Sequence, residues 1–211
     1  MDFERITELV IELEIDDIAD AIKEALEEDG KDPYDVLNAL TEGMDEVGRR
    51  YEAEEYYLTE LVLAGETMKE AFKIIRPAMA ASDKSIKKVK VIIATVRGDN
   101  HDIGKNLLGT LLLSSGFEVI DLGMDIKAET IVEEVKKTGA TIIGLSSLLT
   151  MTVDQITAVH EALKAAGLRD KVKLIVGGAP LNMELAKRLG ADDFADDAVD
   201  GVRHIKELAE S

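Results

Sequence analysis

No cysteine occurs in the chain, which excludes disulfides, iron–sulfur clusters and thiolate metal sites and leaves the redox compartment open. Aromatic residues are scarce, 4% against 46% hydrophobic residues overall, so the core of these 211 residues must be aliphatic. That length allows one large domain or two small ones. No apolar run approaches the roughly 20 residues of a membrane helix, the longest being stretches such as Ile142–Leu149. Met1 leads directly into charged residues, so no signal peptide is read and a cytoplasmic protein is expected. Basic residues are also few, and the net charge is −18. Residues 1–82 hold 23 acidic and 8 basic side chains, the remainder 20 and 17. A surface of that sign repels phosphate backbones and anionic lipid, so neither nucleic acid nor membrane is an expected partner. The acidic half is either a solvated helical surface or a docking face for a basic partner.

What is present falls into two patterns. From Asp2 to about Ala81 apolar residues recur at helical spacing, as in Ile6, Val10 and Leu13, then Ile18, Ile22 and Leu26. Asp16 reads as a cap, Asp29-Gly30 as a stop, and Pro33 as the opening of a third helix running to about Arg50. A fourth helix is expected over Leu58–Ile75, stopped or bent by Pro77. Four helices with short connections predict a bundle over 1–82. Residues 83–88 are polar and basic and read as a linker. From residue 89 to 211 short β-branched runs alternate with helical segments. The strands are expected at Val89–Val96, Glu118–Asp121, Thr141–Leu145, Val172–Val176 and Asp192–Ala195. The whole is an α/β protein, a helical bundle followed by a doubly wound, five-stranded parallel sheet of flavodoxin-like, Rossmann type, with expected strand order 3-2-1-4-5.

The stretch G-D-N-H-D-I-G-K-N, Gly98 to Asn106, follows the first strand and leads into an apolar helix. It therefore lies at the carboxyl end of the sheet, where ligands bind in such folds. Asp99 and His101 stand one residue apart, a candidate metal-ligating imidazole with a carboxylate to orient it. A phosphate-binding loop is a poor alternative. Five residues rather than four separate Gly98 from Gly104, and Asn106 stands where Ser or Thr would meet magnesium. A receiver-type domain gives no reason for His101 to sit in the loop. The other two histidines, His160 and His204, read as surface or capping residues. After the third strand L-S-S-L-L-T places hydroxyls at Ser146, Ser147 and Thr150 on the same sheet edge. After the fourth, Gly177-Gly178 marks a tight turn or a place where a backbone or ligand comes too close for a Cβ.

Together these motifs resemble the cobalamin-binding domain of corrinoid-dependent methyltransferases, whose pattern is D-x-H-x-x-G, about forty residues, S-x-L, about twenty-seven residues, then G-G. Asp99-Asn100-His101-Asp102-Ile103-Gly104 matches the first part; 41 residues later Ser146-Ser147-Leu148 matches the second; 28 more precede Gly177-Gly178. The whole chain is similar to the small corrinoid proteins of methyl-transfer systems, including Val47–Met68, which resembles the family's helical cap.

The resemblance implies a cobalamin cofactor, with methylcobalamin as the carrier form. It implies His101 as the lower cobalt ligand, Asp99 as acceptor from its other ring nitrogen, and Thr152 as a further hydroxyl relay where related methionine synthases usually carry serine. Gly104 and Gly109 would pass the nucleotide tail, Ser146 and Leu148 would border its displaced base, and Gly177 and Gly178 would leave room deeper in the sheet. Asp102, Ile103 and Thr150 complete the implied cofactor set. Cap residues are expected between Tyr56 and Met68, with Tyr57, Leu58, Leu61 and Val62 over the corrin.

The implied partners are a substrate-specific corrinoid methyltransferase, a second methyltransferase to coenzyme M or tetrahydrofolate, and a reductive activation protein. On this reading the chain is a carrier subunit, not a complete enzyme. The alternatives are a cobalamin-binding sensor or regulator, for which no basic recognition helix is present, and a cobalamin-dependent mutase subunit, which would lack the helical module.

Overall fold

A computed structural model describes residues 3–81 and 89–210. By contact the chain divides into two compact units, one holding the first four helices and the other holding the sheet. The linker expected at 83–88 lies outside the described residues.

The helical unit comprises α1 (Phe3–Ile11), α2 (Ile15–Lys23) continued by a π turn (Glu24–Glu28), α3 (Pro33–Glu52) and α4 (Leu58–Ala81). Asp32 caps α3, its side chain accepting from the Tyr34 N–H, and Pro33 takes the first helical position, where a missing N–H costs nothing. Asp16 is not the cap of α2: it lies inside the first turn, after Glu14, where its charge suits the positive end of the helix. The chain reaches that turn through Leu13, whose φ is 63°. Helix α4 continues through Pro77 to Ala81. A proline there removes one backbone bond, yet Ile75 and Met79, four residues apart on either side of it, are both buried and hold the two halves on one face. The unit closes around Ile6, Val10, Ile18, Ile22, Leu40, Val47, Leu61 and Met68. Leu61 therefore cannot belong to an exposed cap surface. Its helical partners Ala64 and Met68 face inward with it, while Tyr57, Leu58, Val62 and Leu63 remain exposed.

The sheet unit runs β1 (Lys90–Thr95), α5 (Ile103–Ser114), β2 (Glu118–Asp121), α6 (Ala128–Thr138), β3 (Ile142–Ser146), α7 (Asp154–Ala165), β4 (Lys173–Gly177), α8 (Met183–Arg188), β5 (Asp193–Ala195) and α9 (Ala198–Glu210). All strand pairs are parallel. The order is β2-β1-β3-β4-β5, not the expected 3-2-1-4-5. The reason is the handedness of the crossovers. Right-handed connections change direction across a sheet only where successive helices change face. Helix α5 lies on the face of Ile93, against which its Gly109 packs. Helices α6 and α7 share the opposite face, burying Ile131, Val135, Ile156 and Leu163 against Ile92, Ala94, Ile143 and Leu145. The reversal therefore comes after β2 rather than after β3. That leaves β2 at the edge, as its exposed ends Glu118 and Asp121 require, and β1, buried from Val91 to Thr95, in the interior of the sheet. The switch point lies between β1 and β3, at the carboxyl ends of the strands that carry the His101 and Ser146 loops.

Candidate cofactor site

The sheet register sets three loops side by side. Thr95 at the end of β1 is opposite Ser146 at the end of β3, and Ser146 is opposite Gly177 at the end of β4. The Ser147 N–H donates to the Gly177 carbonyl at 3.0 Å, extending the ladder one residue past β3.

Asp99 sits at the centre, with no exposed surface. Its Oδ1 accepts from the His101 ring Nδ1–H at 2.7 Å and from the His101 backbone N–H at 3.1 Å. Its Oδ2 accepts from the backbone N–H groups of Leu148 at 2.7 Å and Leu149 at 3.1 Å, and from the Thr152 hydroxyl at 3.1 Å. Burial alone would push this carboxyl up; the donors from His101, Leu148 and Leu149 outweigh it and hold Asp99 at about 2. An ionised carboxylate has only acceptors to offer, so the proton of a neutral His101 lies on Nδ1 and the Nε2 lone pair points away from Asp99. The imidazole is about half exposed. Its Nε2 meets no partner among the described residues.

A folded-state value below the ordinary 3.8 has a definite consequence for stability. The contribution is complete above the unfolded pKa of about 3.9 and is lost as pH falls from there through about 2. It amounts to about 2 kcal/mol. Asp99→Asn should flatten the acid limb of the stability curve in that window, as read by denaturant unfolding at successive pH values. The variant should also be less stable at neutral pH, because an amide NH2 would face backbone donors.

Further hydroxyls complete the network. Thr152 is buried and shares a 2.8 Å hydrogen bond with buried Ser147. Thr95, also buried, donates to the His101 carbonyl at 2.8 Å and fixes the backbone beneath the ring. Of the two serines at the end of β3 it is Ser147, just past the strand, and not Ser146, its last residue, whose side chain joins the network. Neither Ser147 nor Thr95 was singled out for this role from sequence. The available signal is a threonine ending the aliphatic run Val91–Ala94 of β1.

The other expected residues divide. Asp102 stands just before α5 and accepts from the Asn106 amide at 3.0 Å, outside the Asp99 network. Thr150 is exposed in the turn after β3. Gly104 is open: a Cβ there would meet nothing within 4 Å. Gly109 is occupied from below, a Cβ falling 2.7 Å from Ile93 Cδ1, so its smallness serves the seating of α5 on β1. At Gly178 a Cβ would fall 1.9 Å from the Ser147 carbonyl oxygen, and φ is +138°. The close approach there is by another backbone. At this end of the sheet Ile103, the first residue of α5, is exposed, as are Leu148, Leu149 and Met151 after β3, the last 89% accessible. An apolar rim with one outward nitrogen suits a flat, largely apolar ligand that brings its own metal. It does not suit a bare ion: no group of three or more His, Asp or Glu side chains able to hold a metal occurs among the described residues. The residues present thus fit a macrocycle whose metal would be held by the His101 Nε2 nitrogen.

Comparison with known proteins agrees. Residues 89–203 match the B12 binding domain model, and residues 2–76 match a second model, also described as a B12 binding domain. The chain is 35% identical over 206 residues to dimethylamine corrinoid protein 1 of Methanosarcina mazei, covering 97% of this chain and 94% of the relative. Its fold is similar to that of a cobalamin-binding protein from Desulfitobacterium hafniense, with TM-score 0.78, 36% identity and 98% of each chain covered. It is also similar to a chain of the methanol:cobalamin methyltransferase complex MtaBC from Methanosarcina barkeri, with TM-score 0.85, 27% identity, and 98% and 78% covered. No helix among the described residues is long and apolar enough to cross a membrane. With its B12-binding domain, its cobalamin cofactor and full-length relatives of this kind, the chain belongs to the corrinoid proteins of methyltransferase systems.

Proposed function

We propose that this protein carries a methyl group between two partner methyltransferases, with His101 Nε2 as the protein nitrogen that would hold the cobalt of the corrinoid. The observation that carries this reading is the His101–Asp99 pair. A single imidazole stands on an exposed apolar rim, its Nδ1–H held at 2.7 Å by a carboxylate that stays charged. When bound, the corrinoid supplies the cobalt that accepts and donates the methyl group; the protein supplies binding, orientation and tuning. Asp99 sets the basicity and direction of the ring, the Thr152 hydroxyl and the Leu148 and Leu149 N–H groups hold Asp99, Ser147 holds Thr152, and Thr95 holds the loop. Ile103, Leu148, Leu149 and Met151 offer the macrocycle an apolar seat.

The first partner would be a substrate-specific corrinoid methyltransferase, as the likeness to the MtaBC complex supports. The second would pass the methyl group to coenzyme M or tetrahydrofolate, and a reductive activation protein would return oxidised cobalt to service. The dimethylamine corrinoid relative supports a methylamine or a similarly small methyl donor. Reconstitution tests the reading: cobalamin-loaded protein is mixed with candidate methyltransferases and donors, and methylation of the corrinoid is followed by absorbance. Methylation with one donor system, and its loss on adding an acceptor enzyme, is the expected result. A loaded protein that accepts no methyl group from any methylamine or methanol system would contradict it.

Gly104 offers a cleaner probe of the cofactor path. Because a Cβ there meets nothing in the protein, Gly104→Ala should leave the apoprotein as stable as before or more stable by up to about 1 kcal/mol. Its affinity for cobalamin should nevertheless fall if the ligand passes close to α5. Equilibrium binding beside thermal unfolding reads both; unchanged affinity would remove Gly104 from the site.

A further inference from the structure

The turn between β2 and α6, Leu122 to Lys127, packs beneath the His101 loop. Gly123 accepts from the Thr95 N–H at 2.9 Å, the Ile126 N–H donates to the Thr95 carbonyl at 3.1 Å, and Val96 bridges Ile126. At the centre is Asp125. Its Oδ1 accepts from the Gly98 N–H at 2.7 Å, and its own N–H donates to the Asp99 carbonyl at 3.1 Å. It reaches both only by taking a left-handed backbone with φ 55°, a conformation that aspartate and asparagine tolerate better than other residues with a side chain.

The two bonds grip the chain on both sides of the Asp99 Cα: the N–H one residue before it, and the carbonyl of Asp99 itself. Gly98 is also left-handed, at φ +81°, so this segment has few internal constraints apart from the bonds made to it. The Asp99 side chain holds the ring, so a shift of its Cα becomes a shift of Nε2. We propose that Asp125 is a positioning residue for the His101 ligand, acting through the backbone of Asp99. This rests on His101 being the axial ligand.

The test is a cycle of variants in the full chain, titrated with hydroxocobalamin, with apoprotein thermal unfolding measured alongside. Asp125→Gly removes the side-chain acceptor while keeping the left-handed backbone available. Asp125→Asn keeps both. Asp125→Gly should weaken cobalamin binding about tenfold, the lower end of what losing a group that orients a metal-ligating histidine costs. Asp125→Asn should bind as wild type. Placed on His101→Ala, Asp125→Gly should have no further effect on affinity, because its influence passes through the ring. An equal loss in both backgrounds, or no loss in either, would overturn the role given to Asp125. The ligation reading fails separately, if His101→Ala alone leaves both affinity and spectrum unchanged, and the Asp125 role then falls with it.

Discussion

Alanine at Gly178 is expected to unfold the sheet unit or to destabilise it by at least about 3 kcal/mol. The added Cβ would lie 1.9 Å from the Ser147 carbonyl oxygen and 2.7 Å from its carbonyl carbon. These are backbone atoms that cannot swing aside, because the Ser147 N–H is itself tied to Gly177. The glycine also holds φ +138°, which an alanine adopts only under strain. For a chain of this size the loss corresponds to a fall in melting temperature of roughly 10 °C, measured by circular dichroism on apoprotein. Gly104→Ala is the internal control: the same substitution at the same end of the sheet with no neighbour to meet. Because the displaced backbone carries Ser147 and, beyond it, the Leu148 and Leu149 N–H groups that hold Asp99, any Gly178→Ala protein that folds should also bind cobalamin poorly. A variant with wild-type melting temperature would mean that the turn after β4 relaxes freely.

The division into a helical part and a parallel sheet could be read from the sequence because period and composition change together near residue 82. Strand and helix positions followed from β-branched runs and helical spacing, and mostly fall within two residues of the observed ends. Strand order did not follow. Each strand pattern says that a strand is buried, but which face receives α6 depends on how it packs with α7, and no local stretch encodes that. Pro77 shows the same limit: its effect on α4 is decided by Ile75 and Met79 being buried together, a tertiary fact. At the site, Asp99 and His101 stood out because one motif holds both, and Thr152 because the family pattern reaches it. Ser147, Thr95 and Asp125 enter through hydrogen bonds spanning from 5 to 27 residues. The first two each close within one loop, which no strand or helix period marks, and the third appears only once β1 and β2 lie side by side.

The other large effect concerns His101. His101→Ala should leave cobalamin binding measurable, because the apolar residues Ile103, Leu148, Leu149 and Met151 remain, but it should abolish ligation of cobalt by a protein nitrogen. The loss should be close to complete, since no other histidine is held on this rim: His160 bonds the Gly190 carbonyl, and His204 is held by Asp193. Asp99→Asn should weaken the ligation less than alanine at His101 does, because the ring remains and only its orientation and basicity suffer, a change of about 10- to 100-fold for partners of this kind. Methyl transfer should fall in both variants, further in His101→Ala. Absorbance of the loaded proteins separates the cases, and apoprotein melting temperatures show whether folding is intact. Ring removal should cost up to about 2 kcal/mol of stability, because it takes a donor from buried Asp99; the Asp99 oxygen it leaves still accepts from the His101 backbone N–H, so the variant should fold.

The most direct test of His101 as the lower ligand is electron paramagnetic resonance of the cobalamin-loaded protein in its cobalt(II) state, prepared with histidine labelled in both ring nitrogens by the heavy isotope. Ligation by a protein imidazole turns each cobalt line from the triplet of ordinary nitrogen into a doublet, and the doublet should vanish in His101→Ala. Triplets persisting in the labelled protein would show that the cofactor's own base occupies the lower position. Lines without nitrogen splitting would show that no nitrogen does, and either result would contradict the assignment of His101.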